Sequence, residues 1–189
     1  MIDQVINLNQ SAFVPGQQIH DNIMVMHEIL HPLKQGVDGE EGRMAIELDM
    51  AKANDRVEWG FLIEVMGNLG FHPKFCEWIR ECISTVSYSV MVNGVPSSYF
   101  RPEMGLRQGD PMSPFLFLIC AEALSSYNQK HEMKGQISRV LVATAVTPIT
   151  HLFFADDSVV FCKADGTEVD RVKILEDYGM DFGQIINLE

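Results

Sequence analysis

Asp156 and Asp157 are adjacent carboxylates set between two apolar runs, Leu152–Ala155 and Ser158–Cys162. Two like charges this close to strand-like apolar sequence are costly unless something offsets their repulsion and desolvation. A divalent cation does this, because hard oxygen anions are its natural ligands. The same pair also suits a plain solvated turn, where Asp is common. Asp49 is the third acid of interest: it closes the apolar run Ala45–Leu48 and precedes a helical pattern. A carboxylate at the end of one strand meets a pair at a hairpin tip if the strands are neighbours. Such a triad holds two metal ions about 3.5–4 Å apart, one activating an attacking hydroxyl and one steadying a leaving oxygen. Nucleotidyl transfer needs that arrangement.

A rival pattern lies upstream. His27-Glu28-Ile29-Leu30-His31 matches H-E-x-x-H, which on a helix puts two zinc-binding imidazoles on one face with a glutamate as general base. Pro32 follows at once and biases His31 away from helical geometry. Lys34 stands where the usual continuation has glycine. The zinc-protease reading is therefore the remote one. His20, His72, His131 and His151 show no ligand spacing and read as surface or helix-end residues. Cys76, Cys82, Cys120 and Cys162 form no C-x-x-C pair and read as small buried hydrophobes in a reducing compartment. Trp59, Trp78, Met24, Met26, Met44, Met50, Met66 and Met91 read as core.

The elements that must position the acids follow from periodicity and turn chemistry. A helix is expected over residues 21–33, capped by Asp21 or Asn22 and ended by Pro32. Residues 34–42 read as a charged, Gly-rich loop, Met44–Met50 as a buried strand, and Val57–Leu69 and Lys74–Ser84 as helices. Asn93-Gly94 between Val86–Val92 and Val95–Phe100 signals a hairpin, since both turn positions need positive φ. Gly105–Pro111 is a loop. Ser113 as cap and Pro114 in the first turn start a helix running to Gln129. A strand over 139–147, a tight hairpin at Asp156-Asp157 and a helix over Glu168–Phe182 complete the chain. This alternation predicts an α+β layer, with helices on one face of a mainly antiparallel sheet.

The chain has 189 residues, 47% hydrophobic and 21% charged, enough for one domain with a substantial core. No apolar run reaches about 18 residues, so no membrane span is expected. No secretory signal is visible at the start, which suits a nuclear or cytoplasmic protein that is not secreted. Basic residues number 14 against 26 acidic, a net charge of -12. Nucleic-acid binders usually carry a basic surface, so weak nucleic-acid binding with a shallow salt slope is expected.

Phe154-Ala155-Asp156-Asp157 resembles the catalytic box of reverse transcriptases, and it does not stand alone. Ala45-Ile46-Glu47-Leu48-Asp49-Met50-Ala51-Lys52-Ala53-Asn54-Asp55-Arg56-Val57 resembles the family's first catalytic motif. Gly105-Leu106-Arg107-Gln108-Gly109-Asp110-Pro111-Met112-Ser113-Pro114 is close to the loop-helix motif between the two, and Gln10-Ser11-Ala12-Phe13-Val14-Pro15-Gly16 is similar to a segment upstream. Order and spacing agree along nearly the whole chain, most like the LINE-like non-LTR retrotransposons common in plant genomes. The resemblance implies the palm of a right-hand polymerase over 44–189, part of the fingers over 1–43, and no thumb. It implies an RNA-directed DNA polymerase with Asp49, Asp156 and Asp157 at two Mg2+ ions, or Mn2+, and with an RNA template, a DNA primer and dNTPs as partners. Asn54, Arg107, Gln108, Gly109 and Ala155 would line the nucleotide and template, and Gly105 and Gly109 would let the backbone approach nucleic acid. Two departures stand out. Asn54 occupies the place of a Tyr or Phe that would exclude a 2′ hydroxyl. Glu47, two residues before Asp49 and on the same strand face, adds a carboxylate. With the later motif stopping short of its lysine at Glu189, an inactive retrotransposon remnant is the alternative.

Overall fold

Apolar and polar residues alternate along Arg43–Ala51, and this segment is the central strand β1. Ile46, Leu48 and Met50 are buried on one face, while Glu47 and Asp49 are exposed on the other. The computed structural model describes residues 5–7, 9–14, 16–35, 42–138, 149–155, 157–170, 172, 183 and 185–188. The expected strand over 139–147 and most of the expected last helix lie outside them; residues 166–170 are helical.

Helix α1 covers Ile19–Gln35. It passes through Pro32 instead of ending there. The carbonyl that Pro32 cannot serve belongs to Glu28, an exposed residue that water can satisfy. After β1 come α2 (Trp59–Asn68) and α3 (Pro73–Ser84). The first is closed by left-handed Gly70, with the Phe71 N–H on the Met66 carbonyl at 3.0 Å. The second is opened by Pro73 and by His72, whose Nδ1 accepts from the Lys74 N–H. Strands β2 (Met91–Val92) and β3 (Val95–Pro96) form the hairpin expected at Asn93-Gly94, both with positive φ.

Helix α4 (Ser113–Met133) buries residues all round its circumference, from Leu116 to Asn128. A helix apolar on every side belongs inside, and this one packs on α2 while Leu118 meets Ile6 and Val14 of the N-terminal segment. It begins one residue earlier than expected. Ser113 is its first helical residue and not its cap; the Asp110 side chain instead accepts from the Met112 N–H at 2.9 Å. Strands β4 (His151–Phe154), β5 (Asp157–Lys163) and β6 (Ile185–Leu188) join β1 in a four-stranded sheet of order β4-β5-β1-β6. Its paired strands run antiparallel.

The α+β class therefore stands. Helices α2, α3 and α4, with α3 and α4 packed on α2, share one core with the sheet face that carries Ile46, Leu48, Met50, Phe153, Val160 and Cys162. The opposite face carries a second, smaller cover. Helix α1 lays Val25, Met26 and Ile29 on Ala45, Leu152, Val159 and Phe161. Three residue types depart from expectation. Trp78, Met24 and Met91 are exposed, because each falls on the outer side of a short or one-sided element, and Cys82 is exposed on α3. Among the described residues no helix is long and apolar enough to cross a membrane.

Candidate functional site at the open end of the sheet

Register decides which side chains meet. Antiparallel pairing of β1 with β5 sets Glu47 opposite Val159, Leu48 opposite Ser158 and Asp49 opposite Asp157. Directly opposed residues share a sheet face, with Cβ atoms about 4.5–5.5 Å apart. Asp49 and Asp157 therefore stand side by side on the face covered by α1. The apolar contacts of that helix reach Ala45, Val159 and Phe161 and do not include the two acids, which are exposed. Beneath them the other face is fully packed: Leu48 and Ser158 are 0% exposed, and the Ser158 hydroxyl donates to the Leu48 carbonyl at 3.4 Å. The acids thus sit on a rigid floor and face outward.

Asp156 lies outside the described residues. The hairpin that contains it is tight: Phe154 pairs with Asp157, leaving two residues between the strands. Ala155, the first of these, has φ 67°, and Lys52, three residues after Asp49, has φ 57°. Left-handed backbone at residues with a Cβ costs about 1–3 kcal/mol and gathers where function demands it. Of the four non-Gly residues with positive φ among the described ones, these two flank the paired acids; Phe13 and Asn93 lie elsewhere. On the far side of β1, β6 places Asn187 opposite Asp49. Among the described residues no three His, Cys, Asp or Glu side chains form a metal cluster; Asp49 and Asp157 are two opposed carboxylates, the hard-oxygen type of donor that a divalent cation takes.

A second group of expected residues gathers at the end of β1. A 3-10 turn, Ala53–Arg56, follows the strand and packs on the loop before α4. The Leu106 N–H donates to the Asn54 carbonyl at 2.7 Å, the Gly105 N–H to the Val57 carbonyl at 2.9 Å, and the Trp59 indole N–H to the Gly105 carbonyl at 2.8 Å. Gly105 has φ 87°, and a Cβ there would lie 2.6 Å from the Asp55 carbonyl oxygen. The chain itself requires glycine here, because the close neighbour of a side chain would be the Asp55 backbone. Gly109, φ 81°, has nothing within 4 Å of such a Cβ. Arg107 and Gln108 are exposed, and the Arg107 guanidinium lies 5.7 Å from the Tyr88 ring centre. Together they line a cleft of about 450 Å³ with Asp55, Tyr88 and Asp110.

Sequence reasoning passed over several residues that shape this region. Arg56 donates from Nε to the Gly183 carbonyl at 2.9 Å, tying the approach to β6 to the turn after β1. Only its place in the turn hinted at this. Gln10 reaches the hairpin: its Oε1 accepts from the Ala155 N–H at 3.3 Å. His151 is not a surface residue. It is 0% exposed, and burial pushes it down to about 4. Asn9 Nδ2 lies 3.2 Å from its Nε2, so that nitrogen accepts, and the proton sits on Nδ1 facing the Thr150 hydroxyl at 2.9 Å. Thr150 in turn donates to Glu132, and Ser125 lies 2.9 Å from Nε2. Ser125, Thr150 and His151 are closed to solvent, so this relay-like chain is a core network. Beside it, burial raises the Glu122 carboxyl to about 7, against the Asn7 N–H that it accepts at 2.7 Å.

His27 and His31 both lie on α1, so Pro32 does not displace His31 from helical geometry as expected. Among the described residues no third His, Cys, Asp or Glu gathers with them into a metal-binding group.

A family model described as reverse transcriptase (RNA-dependent DNA polymerase) matches residues 1–189. The chain is 24% identical over 180 residues to the Pol polyprotein of the type-2 retrotransposable element R2DM of Drosophila melanogaster, covering 95% of this chain and 16% of that protein. It is 41% identical over 68 residues to an uncharacterized mitochondrial protein of Arabidopsis thaliana, covering 36% of this chain and 56% of that one. It is 28% identical over 123 residues to a 149 kDa protein of transposon TX1 of Xenopus laevis, covering 65% of this chain and 9% of that one. It therefore spans from 9% to 56% of the length of these relatives. Among solved structures, telomerase from Candida albicans in complex with a fragment of telomeric RNA superposes with TM-score 0.64 at 14% identity, over 98% of this chain and 34% of that one. Apo telomerase from Candida tropicalis, truncated from its C-terminal domain, gives 0.62 at 16%, over 89% and 33%. At such identities the likeness is one of fold.

Proposed function

This chain belongs to the reverse transcriptase (RNA-dependent DNA polymerase) family, of the non-LTR retrotransposon type, and on that premise we propose that it is the core of an RNA-directed DNA polymerase. Residues 44–189 are its palm and residues 1–43 part of its fingers. One observation carries the reading: Asp49 opposes Asp157 on the open end of the sheet, above a packed floor. Asp49 and Asp157, with Asp156 beside the latter in the chain, are hard-oxygen donors whose chemistry fits Mg2+. When bound, paired Mg2+ ions supply Lewis-acid activation of a primer 3′ hydroxyl and charge neutralisation at the leaving pyrophosphate.

The chain's own residues do the rest. The β1–β5 register sets the two carboxylates opposite each other on one face of the sheet. The bonds from Gly105 and Leu106 to the 53–57 turn bring Arg107, Gln108 and Gly109 toward Asn54 at the end of β1, where template and incoming dNTP would lie. Ala155 shapes the turn before Asp157. Asn54 stands where an aromatic ring would screen out a 2′ hydroxyl, so Asn54→Tyr increases discrimination against ribonucleotides.

Primer extension on an RNA template with dNTPs and Mg2+ tests this reading. Asp49→Asn, and Asp156→Asn with Asp157→Asn, abolish the product. Undiminished extension by the double variant would sink the assignment. A parent chain that binds Mn2+ yet extends no primer favours the alternative of a silent remnant.

A further inference from the structure

The turn of the acidic hairpin rests on a strained residue. Ala155 has φ 67°. Such turns are ordinarily built on Gly, Asn or Asp, because a Cβ is crowded in the left-handed region. Strain of this kind persists only where neighbours over-determine it.

Gln10 is such a neighbour. It is 2% exposed although polar. The strip around it runs parallel to Phe153, with the Phe153 N–H on the Asn9 carbonyl at 2.9 Å and the Ser11 N–H on the Phe153 carbonyl at 3.4 Å. Asn22 of α1 holds the same strip, donating to the carbonyls of Asn9 and Phe153 at 2.8 and 3.2 Å. From this anchored position Gln10 Oε1 accepts two N–H groups, Ala12 at 2.9 Å and Ala155 at 3.3 Å. Its Nε2 is buried with no partner among the described residues. Two N–H donors converging on one end can be met only by the amide oxygen, and this fixes which way the amide faces.

We propose that Gln10 is a positioning residue for the acidic site: by accepting the Ala155 N–H it holds the left-handed turn that delivers Asp157 into β5 opposite Asp49. Its amide oxygen meets backbone N–H groups, those of Ala12 and Ala155. The N-terminal strip, already fastened to β4 and α1, thus governs the aim of a hairpin 145 residues further along the chain. The functional part of this inference rests on Asp49 and Asp157 being the metal site; the contact itself does not.

The test uses the 189-residue chain with 15N-labelled alanine. In the parent, exchange of the Ala155 amide is slowed at least about tenfold relative to an unpaired turn amide. Gln10→Met removes that protection, and Gln10→Glu, which keeps an acceptor, retains it. Mn2+ binding followed by paramagnetic resonance weakens about tenfold in Gln10→Met, the usual scale for loss of an outer support. Adding Ala155→Gly to that variant restores affinity, because glycine adopts the turn unaided. Simple loss of structure would not be rescued so. An unprotected Ala155 amide in the parent overturns the inference whether or not any variant folds. Lost protection with unchanged Mn2+ affinity overturns the positioning role. If Asp157→Asn leaves Mn2+ affinity intact, or the parent binds none, the metal-site reading fails and the functional half of the inference goes with it, while amide protection still reports the contact.

Discussion

The indole N–H of Trp59 donates to the Gly105 carbonyl at 2.8 Å, and this bond ties the start of α2 to the loop that carries Arg107 and Gln108. The two glycines of that loop differ sharply. At Gly105 a Cβ would meet the Asp55 carbonyl at 2.6 Å, in left-handed backbone; at Gly109 only the backbone objects. Gly105→Ala is expected to cost about 2–4 kcal/mol and Gly109→Ala about 1 kcal/mol. Urea midpoints at constant slope measure both. Equal losses would mean that the turn and the loop do not touch.

Opposed carboxylates should show themselves as a stability defect. Like charges directly across neighbouring strands are destabilising, by about 0.2–1 kcal/mol. In chelator, Asp157→Asn is expected to raise the thermal midpoint slightly, and the gain should shrink with added salt. Mg2+ should then stabilise the parent more than the variant, because only the native parent keeps the full ligand set. A variant less stable than the parent in chelator would argue that Asp157 serves the fold.

Two buried titrating groups set opposite pH trends. His151 falls to about 4 in the fold, below its ordinary 6.5, through burial. The unfolded chain therefore binds the extra proton between these values, and this contribution is present above pH 6.5 and lost as pH falls toward 4. Glu122 rises to about 7 from 4.5, again chiefly through burial. Here the folded chain holds the proton, so this contribution is present below pH 4.5 and lost as pH rises toward 7. Each is worth about 3 kcal/mol at most. The parent should show a shallow profile between pH 4.5 and 6.5. Glu122→Gln keeps an acceptor for the Asn7 N–H and removes the opposing group, so its stability should climb through that window. A flat profile for the variant would place the His151 imidazole in contact with water.

Thiol accessibility divides the cysteines. Cys82 is exposed, whereas Cys76, Cys120 and Cys162 are buried; burial raises Cys120 strongly and pushes Cys162 up to about 11. Maleimide labelling of native protein should modify Cys82 quickly and the other three only in urea. Fast labelling of Cys162 would contradict the packing of β5.

Much of this architecture was legible one element at a time. The alternation along Ile46–Met50, the Asn93-Gly94 turn and the apolar span after Pro114 are local patterns, and each became the expected element. Errors arose where a residue's meaning depended on distant neighbours. Pro32 leaves open the carbonyl of Glu28, an exposed residue, and α1 continues through the proline. Trp78 looked like core by type but faces outward on α3. His151 lacked any ligand spacing and was nonetheless enclosed by Ser125, Thr150 and Asn9, drawn from three separate segments.

The acids followed the same division. Their kind, and the strand end and hairpin they occupy, could be read directly from the sequence, since periodicity and turn preference act over a few residues. Which acid faces which was a matter of register, because a slip of one residue in β5 would turn Asp157 to the other side of the sheet. That Asp157 stands across from Asp49, that Gln10 rather than a local residue meets the Ala155 turn, and that Gly105 is glycine for the sake of Asp55 were decided only when long-range packing brought the segments together. Contacts between groups a hundred residues apart leave no periodic trace in the chain, because they depend on the summed geometry of everything folded between them.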